Sequence, residues 1–283
     1  MTVRLEGKIV ADAIRQRVRR AVEQCQQDSG LKPGLAVVLV GDDPASEIYV
    51  RQKHKAATSV GIESYQHHLN AEVTTEAVCE TVAALNRDPK VHGILVQLPL
   101  PPHIDRDQVL QAIAVEKDVD GLTRASQGAL MQNRPGLRPC TPLGIIDLLA
   151  FYHIPIAGQR AVIVGRSSLV GLPVALMLQQ QDATITIVHS RTVQAQAVTA
   201  TADILVVAAG QPRLVTRSWV KEGAVVVDVG IHRTSQGLIG DVATKELEGY
   251  AAAVTPVPGG VGPMTIAELM HNTWQAFDGG GSD

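Results

Sequence analysis

Short runs of apolar, mostly β-branched residues recur along the chain, each closed by a Gly or Pro and followed by a stretch with helical spacing. The runs are LAVVLVG (35–41), HGILVQLP (92–99), AVIVG (161–165), ATITIV (183–188), DILVVAAG (203–210) and AVVVDVG (224–230). Continuous apolar runs of this length suit strands buried on both faces, as in a parallel sheet; half-exposed strands alternate instead. Between the runs, the spacing predicts helices over 44–60, 75–86, 106–114, 170–180 and 193–200. Strand and helix alternating in this way predict an α/β protein.

The alternation lapses over GLTRASQGALMQNRPGLRPCTP (121–142), a Gly-, Pro- and polar-rich stretch that reads as a linker. The expected architecture is two αβα domains. After the linker, TPLGIIDLLAFYHI (141–154) reads as a long helix bridging the halves, and a second strand–helix series starts at Arg160. Gly259 to Met264 break the chain again before a last helix from Thr265, expected to return to the first domain. The domains are therefore placed at 1–140 joined by 265–283, and at 141–264. The closing GGGSD (279–283) is expected to be disordered.

Composition narrows the function. A length of 283 residues fits two domains at about 150 residues each, and 45% apolar with 19% charged residues describes an ordinary globular chain. A net charge of −3, with both signs scattered, points away from nucleic acid or an anionic membrane as partner. Only eight residues are aromatic, too few for base-stacking platforms, so a site must rely on backbone, Gly-rich turns and a few polar side chains. Cys25, Cys79 and Cys140 form no CxxC pair, and the nine histidines show no metal-ligand spacing, so reduced thiols and no metal are expected. The N-terminus lacks the apolar region of a signal peptide, and no stretch approaches 18 apolar residues; a cytoplasmic location is expected.

VIVGRSSLVGLPVALML (162–178) reads as strand, Gly-containing turn and helix, the setting in which a dinucleotide fingerprint carries meaning. It departs from GxGxxG: Gly165-Arg166-Ser167 has Ser where the second Gly belongs, and a further residue precedes Gly171. A small residue there still lets backbone amides and a helix N-terminus approach a pyrophosphate. The next strand ends in His189-Ser190-Arg191 rather than in the carboxylate that holds a ribose 2′-hydroxyl. A hydroxyl and a guanidinium suit a 2′-phosphate, which favours NADP over NAD; the bland reading leaves Ser190 and Arg191 as solvated loop residues. Ala208-Ala209-Gly210 and Asp228-Val229-Gly230-Ile231 put small residues at further strand ends, with Ile231 available to pack on a nicotinamide ring.

The chemistry points to the first half. In GDDPASEIYVRQKHKAATSVGI (41–62), Asp43 and Pro44 start a helix on which Ser46, Tyr49 and Lys53 share one face. A purely solvated face is the competing reading. Gln97 sits inside an apolar strand closed by Pro99, Pro101 and Pro102; a buried amide must be hydrogen-bonded, and Lys53 is its natural partner. Lys117-Asp118-Val119-Asp120-Gly121 adds two carboxylates, one available as a turn acid and the other for a polar heterocycle.

With these residues in place the chain closely resembles the bifunctional methylenetetrahydrofolate dehydrogenase/methenyltetrahydrofolate cyclohydrolase family. The matching segments, in family order, are GDDPASEIYVRQKHKAA, GILVQLPLP, EKDVDG, PCTPLGIIDLL, VIVGRSSLVGLPVALML, TITIVHSRT, DVGI, GDV and TPVPGGVGPMTIAELMHNT. The resemblance implies a Rossmann-like second domain, a folate cleft between the domains, NADP as cofactor and a homodimer formed through the nucleotide domain. It implies oxidation of 5,10-methylenetetrahydrofolate followed by hydrolysis of the methenyl cation to 10-formyltetrahydrofolate. It matches Lys53 to the catalytic lysine, Tyr49 to the ring that packs on the aminobenzoyl group, Gln97 to the amide that partners the lysine, and Asp120 to the carboxylate that holds the pterin. Ser46 is expected on the substrate side. Gly165, Arg166, Ser167, Ser190 and Ile231 match cofactor positions, and Pro258, Gly259 and Gly260 belong to the loop lining the cleft. Ser126 stands where the family usually has Asn, which leaves the hydrogen bonding of the linker open. Two competing readings are a dehydrogenase without useful cyclohydrolase activity, against which Lys53 with Gln97 argues, and a non-catalytic NADP-binding sensor.

Overall fold

The computed structural model describes residues 1–235 and 237–279. In chain order the first elements are β1 (Val3–Arg4), α1 (Gly7–Ser29), β2 (Gly34–Val40), α2 (Pro44–Ser59), β3 (Glu63–Leu69), α3 (Thr75–Arg87), β4 (Gly93–Val96), α4 (Arg106–Gln111) and α5 (Arg124–Met131). They are followed by α6 (Cys140–Phe151), β5 (Arg160–Val164), α7 (Gly171–Gln179), β6 (Thr184–Val188), α8 (Ala195–Thr199) and β7 (Ile204–Val207). The last are β8 (Val225–Asp228), β9 (His232–Thr234), β10 (Gly237–Ile239), β11 (Ala253–Val254) and α9 (Val261–Phe277). The chain divides into two compact units, one of Ala13–Cys140 with the segment from Ile266 onward, the other of Met1–Asp12 with Thr141–Thr265.

The first unit is built on a parallel three-stranded sheet in the order β3-β2-β4. All seven residues of β2 are buried, as a strand covered on both faces requires. Ala36, Val38, Val40, Ile94 and Val96 pack with Val78, Val82 and Leu85 of α3 and Val109 and Leu110 of α4 on one face. Each of these Val, Leu and Ile side chains, fully removed from water, contributes about 1.5–3 kcal/mol. Thr74 caps α3, its hydroxyl accepting from the Ala77 amide.

The second unit carries a six-stranded sheet in the order β1-β11-β8-β7-β5-β6, parallel throughout. From β5 the chain moves outward to β6 and then crosses to β7 on the other side. The carboxyl ends of β5 and β7 therefore flank a topological switch point, where open α/β sheets bind ligands. This is the Rossmann-like arrangement expected from the sequence.

Several elements differ from the sequence reading. β3 (ESYQHHL) escapes notice because it is an edge strand with alternating exposure and no apolar run. The stretch read as linker holds α5, capped by the Thr123 hydroxyl accepting from the Ser126 amide. α9 starts at Val261 rather than Thr265, because Gly262 and Pro263 fall in its first turn, where a missing N–H costs nothing. Residues 1–12, expected in the first domain, cluster with the second unit: Val3 and Arg4 pair with Ala253 and Val254. The expected tail falls on 280–283, outside the described residues, apart from Gly279.

Candidate functional site

In the first unit, α2 begins as its sequence dictates. Pro44 takes the first helical position and the Asp43 carboxylate accepts from the Ser46 amide at 2.8 Å. Val50 and Ala57 are buried and pin one face of the helix, which fixes where the i, i+3, i+7 set of Ser46, Tyr49 and Lys53 points. Ser46 is buried, and its amide and hydroxyl together hold the Asp43 carboxyl below the ordinary carboxylate range. Tyr49 is 41% exposed and Lys53 is half-buried.

Lys53 Nζ donates to Gln97 Oε1 at 2.9 Å. Gln97 stands one residue past β4, its amide still on the sheet ladder through Val38 O. Its side-chain Nε2 donates to Leu98 O at 2.6 Å, which commits the amide nitrogen and leaves the oxygen for the lysine. Burial lowers the Lys53 ammonium below the ordinary lysine range, against the opposing pull of Asp120 and Cys140. Burial raises the half-exposed Asp120 above the ordinary carboxylate range, with Lys53 pulling the other way and Asp118 adding to the rise. The two groups are thus both displaced toward their uncharged forms, the condition in which a proton is exchanged at small cost.

The two carboxylates left open by the sequence divide their work. Asp118 is the turn acid: fully buried, it accepts from the amides of Leu122 at 3.1 Å and Thr123 at 2.8 Å and from Ser126 Oγ at 2.7 Å. Ser126 therefore completes the turn that follows Asp120, which answers the question its unusual identity raised. Lys117 is structural, donating to the carbonyls of Leu85, Asn86 and Asp88 at the end of α3. Sequence reasoning missed two contributors. Cys140 donates to Val119 O at 3.2 Å, and burial pushes its thiol well up. Asn272 of α9 donates to Val119 O at 2.9 Å and to Arg138 O at 2.8 Å. Their signal was a polar residue inside otherwise apolar helices, here Asn272 in MHNT.

In the second unit, Gly165 closes β5 with φ +120°, and a Cβ there would lie 2.2 Å from Ala208 O, so only glycine lets the turn pass the end of β7. Ser167 Oγ accepts from the amides of Val170 at 3.2 Å and Gly171 at 3.4 Å, tying the turn to the start of α7. This is what serine supplies at the fingerprint's second position. Arg166 and Ser167 are exposed. After β6 a tight turn runs from His189 to Thr192: the His189 amide donates to Thr192 Oγ1 at 2.9 Å and the Arg191 amide to His189 Nδ1 at 3.2 Å. Ser190 and Arg191 are exposed on it, so their donors are free of large burial costs. Ile231 is 44% exposed. In the Gly-rich loop, Gly259 O accepts from the Lys8 amide at 3.1 Å. A glycine turn at the switch point, an adjacent helix start and cationic donors past β6 fit a phosphorylated dinucleotide. Among the described residues no group of three or more His, Cys, Asp or Glu is arranged to hold a metal, and no helix is long and apolar enough to cross a membrane.

Two family models match the chain, one in each half. Residues 5–120 match the catalytic-domain model of tetrahydrofolate dehydrogenase/cyclohydrolase, and residues 139–279 match its NAD(P)-binding-domain model. The chain is 52% identical over 278 residues to the bifunctional protein FolD of Parasynechococcus marenigrum (strain WH8102), covering 98% of this chain and 95% of that protein. Among solved structures, the bifunctional FolD enzyme of Campylobacter jejuni superposes with a TM-score of 0.96 at 43% identity, covering 99% of both chains. The Trypanosoma brucei FolD enzyme, solved in complex with NADP cofactor and an inhibitor, superposes with a TM-score of 0.93 at 40% identity, covering 98% of this chain and 97% of that one. The two domain models follow one another along the sequence, and the chain belongs to the tetrahydrofolate dehydrogenase/cyclohydrolase family.

Proposed function

We propose that Lys53, set against Gln97 and influenced by Asp120, handles the proton transfers of this protein's hydrolytic reaction. The protein is an NADP-dependent methylenetetrahydrofolate dehydrogenase and a methenyltetrahydrofolate cyclohydrolase. Oxidation of the 5,10-methylene bridge is driven by the lone pairs of the two flanking nitrogens, so the chain's main task there is to hold the carbon in place. When bound, NADP supplies the acceptor of the hydride that leaves the bridge. Gly165, Arg166 and Ser167 would hold its pyrophosphate, Ser190 and Arg191 its 2′-phosphate, and Ile231 would pack on the nicotinamide.

Hydrolysis of the methenyl cation demands proton traffic. Water adds to the bridging carbon and loses a proton; the carbon–N5 bond then breaks as N5 gains one, leaving the formyl group on N10. An amine lowered toward neutrality takes the first proton and returns it as the ammonium. Gln97 Oε1 holds that amine in place, Asp120 binds the pterin's donor groups, and Tyr49 packs on the aminobenzoyl ring. Ser46, on the same helix face as Tyr49 and Lys53, meets the substrate, as do Pro258, Gly259 and Gly260. The 2.9 Å contact between Lys53 and Gln97, at a lysine whose ammonium burial disfavours, is the observation that carries this reading.

The test follows methenyltetrahydrofolate decay without NADP. Lys53→Met is expected to lose about 10²–10⁴-fold in hydrolysis, the range of general acid–base catalysis; full hydrolysis by that variant overturns the assignment. The same reading places the protein in the cytoplasm as a homodimer through its nucleotide unit, which light scattering on the purified chain checks.

A further inference from the structure

We propose that Asp241 is a positioning residue for the dehydrogenase reaction, acting with Asp228 and His232 to fix the backbone that presents Ile231. The inference rests on the reading of Ile231 as the residue that meets the nicotinamide. Two carboxylates are buried here: Asp228, 1% exposed, is the last residue of β8, and Asp241, 0% exposed and just past β10, reaches the carboxyl end of β7. Asp241 Oδ2 accepts from the amides of Ala209 at 2.7 Å and Gly210 at 2.8 Å, just past β7. Its Oδ1 accepts from His232 Nε2 at 2.7 Å; because an ionised carboxylate only accepts, that ring nitrogen carries the proton. The Asp241 backbone is itself held, its amide donating to Asp228 Oδ1 at 2.9 Å. The same Asp228 oxygen accepts from Gly230 at 3.0 Å, and Oδ2 accepts from Val242 at 3.0 Å.

Ile231 lies between the two residues so restrained. Gly230 before it is held through its amide by Asp228, and His232 after it is held through its ring by Asp241. The Ile231 side chain, partly exposed, is left as the free surface, with its Cδ1 only 3.3 Å from where a Cβ on Gly262 would sit. The packing leaves no slack: a Cβ on Gly240 would lie 1.8 Å from Asp228 Oδ2, and one on Gly230 would lie 2.3 Å from Asp241 Oδ1. Burying two neighbouring carboxylates is a poor source of stability, since apolar replacements of such groups are often neutral or better. What the pair supplies is geometry, tying the ends of adjacent strands to one another and to the residue between them. A misplacement of about 1 Å at such a point costs on the order of 10²-fold in rate.

The test uses the full-length protein with four variants, His232→Ala, His232→Gln, Asp241→Asn and Ile231→Ala. Dehydrogenase kcat and the KM for NADP are measured beside methenyltetrahydrofolate hydrolysis without NADP. Hydrogen exchange is recorded on the cofactor-free protein. His232→Ala and Asp241→Asn are expected to lose at least about tenfold in dehydrogenase kcat, with a smaller change in KM and with hydrolysis retained. His232→Gln, whose amide can still donate to Asp241, is expected to recover most of the loss. In Asp241→Asn the amides of Ala209, Gly210 and Gly230 are expected to exchange faster while those of β5 stay protected. A dehydrogenase kcat unchanged in His232→Ala and Asp241→Asn, with Ile231→Ala impaired, overturns the inference and leaves the reading of Ile231 standing. An unimpaired Ile231→Ala overturns that reading and the inference with it. A parallel fall of hydrolysis and dehydrogenation, or no recovery in His232→Gln, makes the cluster merely structural and also overturns the inference.

Discussion

Gln97→Leu separates positioning of the lysine from its chemistry. The substitution keeps the volume of the buried side chain and removes both of its hydrogen bonds, to Lys53 at 2.9 Å and to Leu98 O at 2.6 Å. A hydrogen bond to a charged group contributes about 1.5–3 kcal/mol, so the Lys53 ammonium loses stabilisation of that size. The sign follows: without an acceptor for its charged form, an amine already lowered by burial falls further. At about 1.4 kcal/mol per tenfold, the acid limb of the hydrolysis profile moves about one to two pH units toward acid. The freed amine also loses its fixed aim, so hydrolysis at neutral pH falls by about 10–100-fold, on the same conversion. The measurement is methenyltetrahydrofolate decay from pH 5 to 9 without NADP, with thermal melting as a control for the unpaired Leu98 carbonyl, whose loss of a partner costs about 1–3 kcal/mol. A variant with wild-type hydrolysis and an unmoved acid limb would refute the idea that Gln97 sets the state of Lys53.

Three further outcomes are expected. Arg191→Ala, alone and with Ser190→Ala, should raise the KM for NADP about 10–100-fold, the worth of charge-assisted hydrogen bonds to a phosphate, while leaving NAD use unchanged; parallel losses with both cofactors would contradict the 2′-phosphate assignment. Ser126→Ala removes the hydroxyl that donates to buried Asp118 at 2.7 Å, so denaturant titration should show a loss of about 1–3 kcal/mol, larger than an exposed serine gives. Burial pushes the Asp228 carboxyl up to about 6, against hydrogen bonds from Asp241, Val242 and Gly230. An unfolded chain releases that proton near pH 4, so between about pH 4 and 6 the folded state holds more protons and loses stability as pH rises, by about 3 kcal/mol. Comparing wild type with Asp228→Asn in denaturant at several pH values in that window should show the decline only in the wild type.

The sequence was most legible where burial is two-sided. LAVVLVG and AVVVDVG became β2 and β8 within a residue or two, because a strand covered on both faces has no choice but a continuous apolar run. β3 was invisible for the opposite reason: no residue of ESYQHHL is fully buried, so no apolar run marks the strand. β1 and β11, at two residues each, are too short for any periodicity and owe their existence to their neighbours in the sheet. At the candidate site, helix spacing put Lys53 and Tyr49 on one face, and the oddity of an amide in an apolar strand singled out Gln97. Nothing local distinguished Asp118 from Asp120. That division depends on the amides of Leu122 and Thr123 and on Ser126, which only the folded turn brings round. Asn272 is harder still, since its partners are carbonyls at Val119 and Arg138, far away in sequence.

That last contact bears on how the protein is made. The first unit takes its residues from Ala13–Cys140 and again from Ile266 onward, so a ribosome has released most of it long before it can be finished. Until the final helix emerges, Val119 O has Cys140 as a donor but not Asn272, which arrives 153 residues later, and the turn carrying Asp120 is incompletely held. At synthesis rates of about 5–20 residues per second this interval lasts roughly 8–30 s, during which the unit, its sheet formed but its last helix missing, is a client for chaperones. A protein cut after Cys140 would stay in that condition, and adding the 266–279 segment in trans is the direct way to release it.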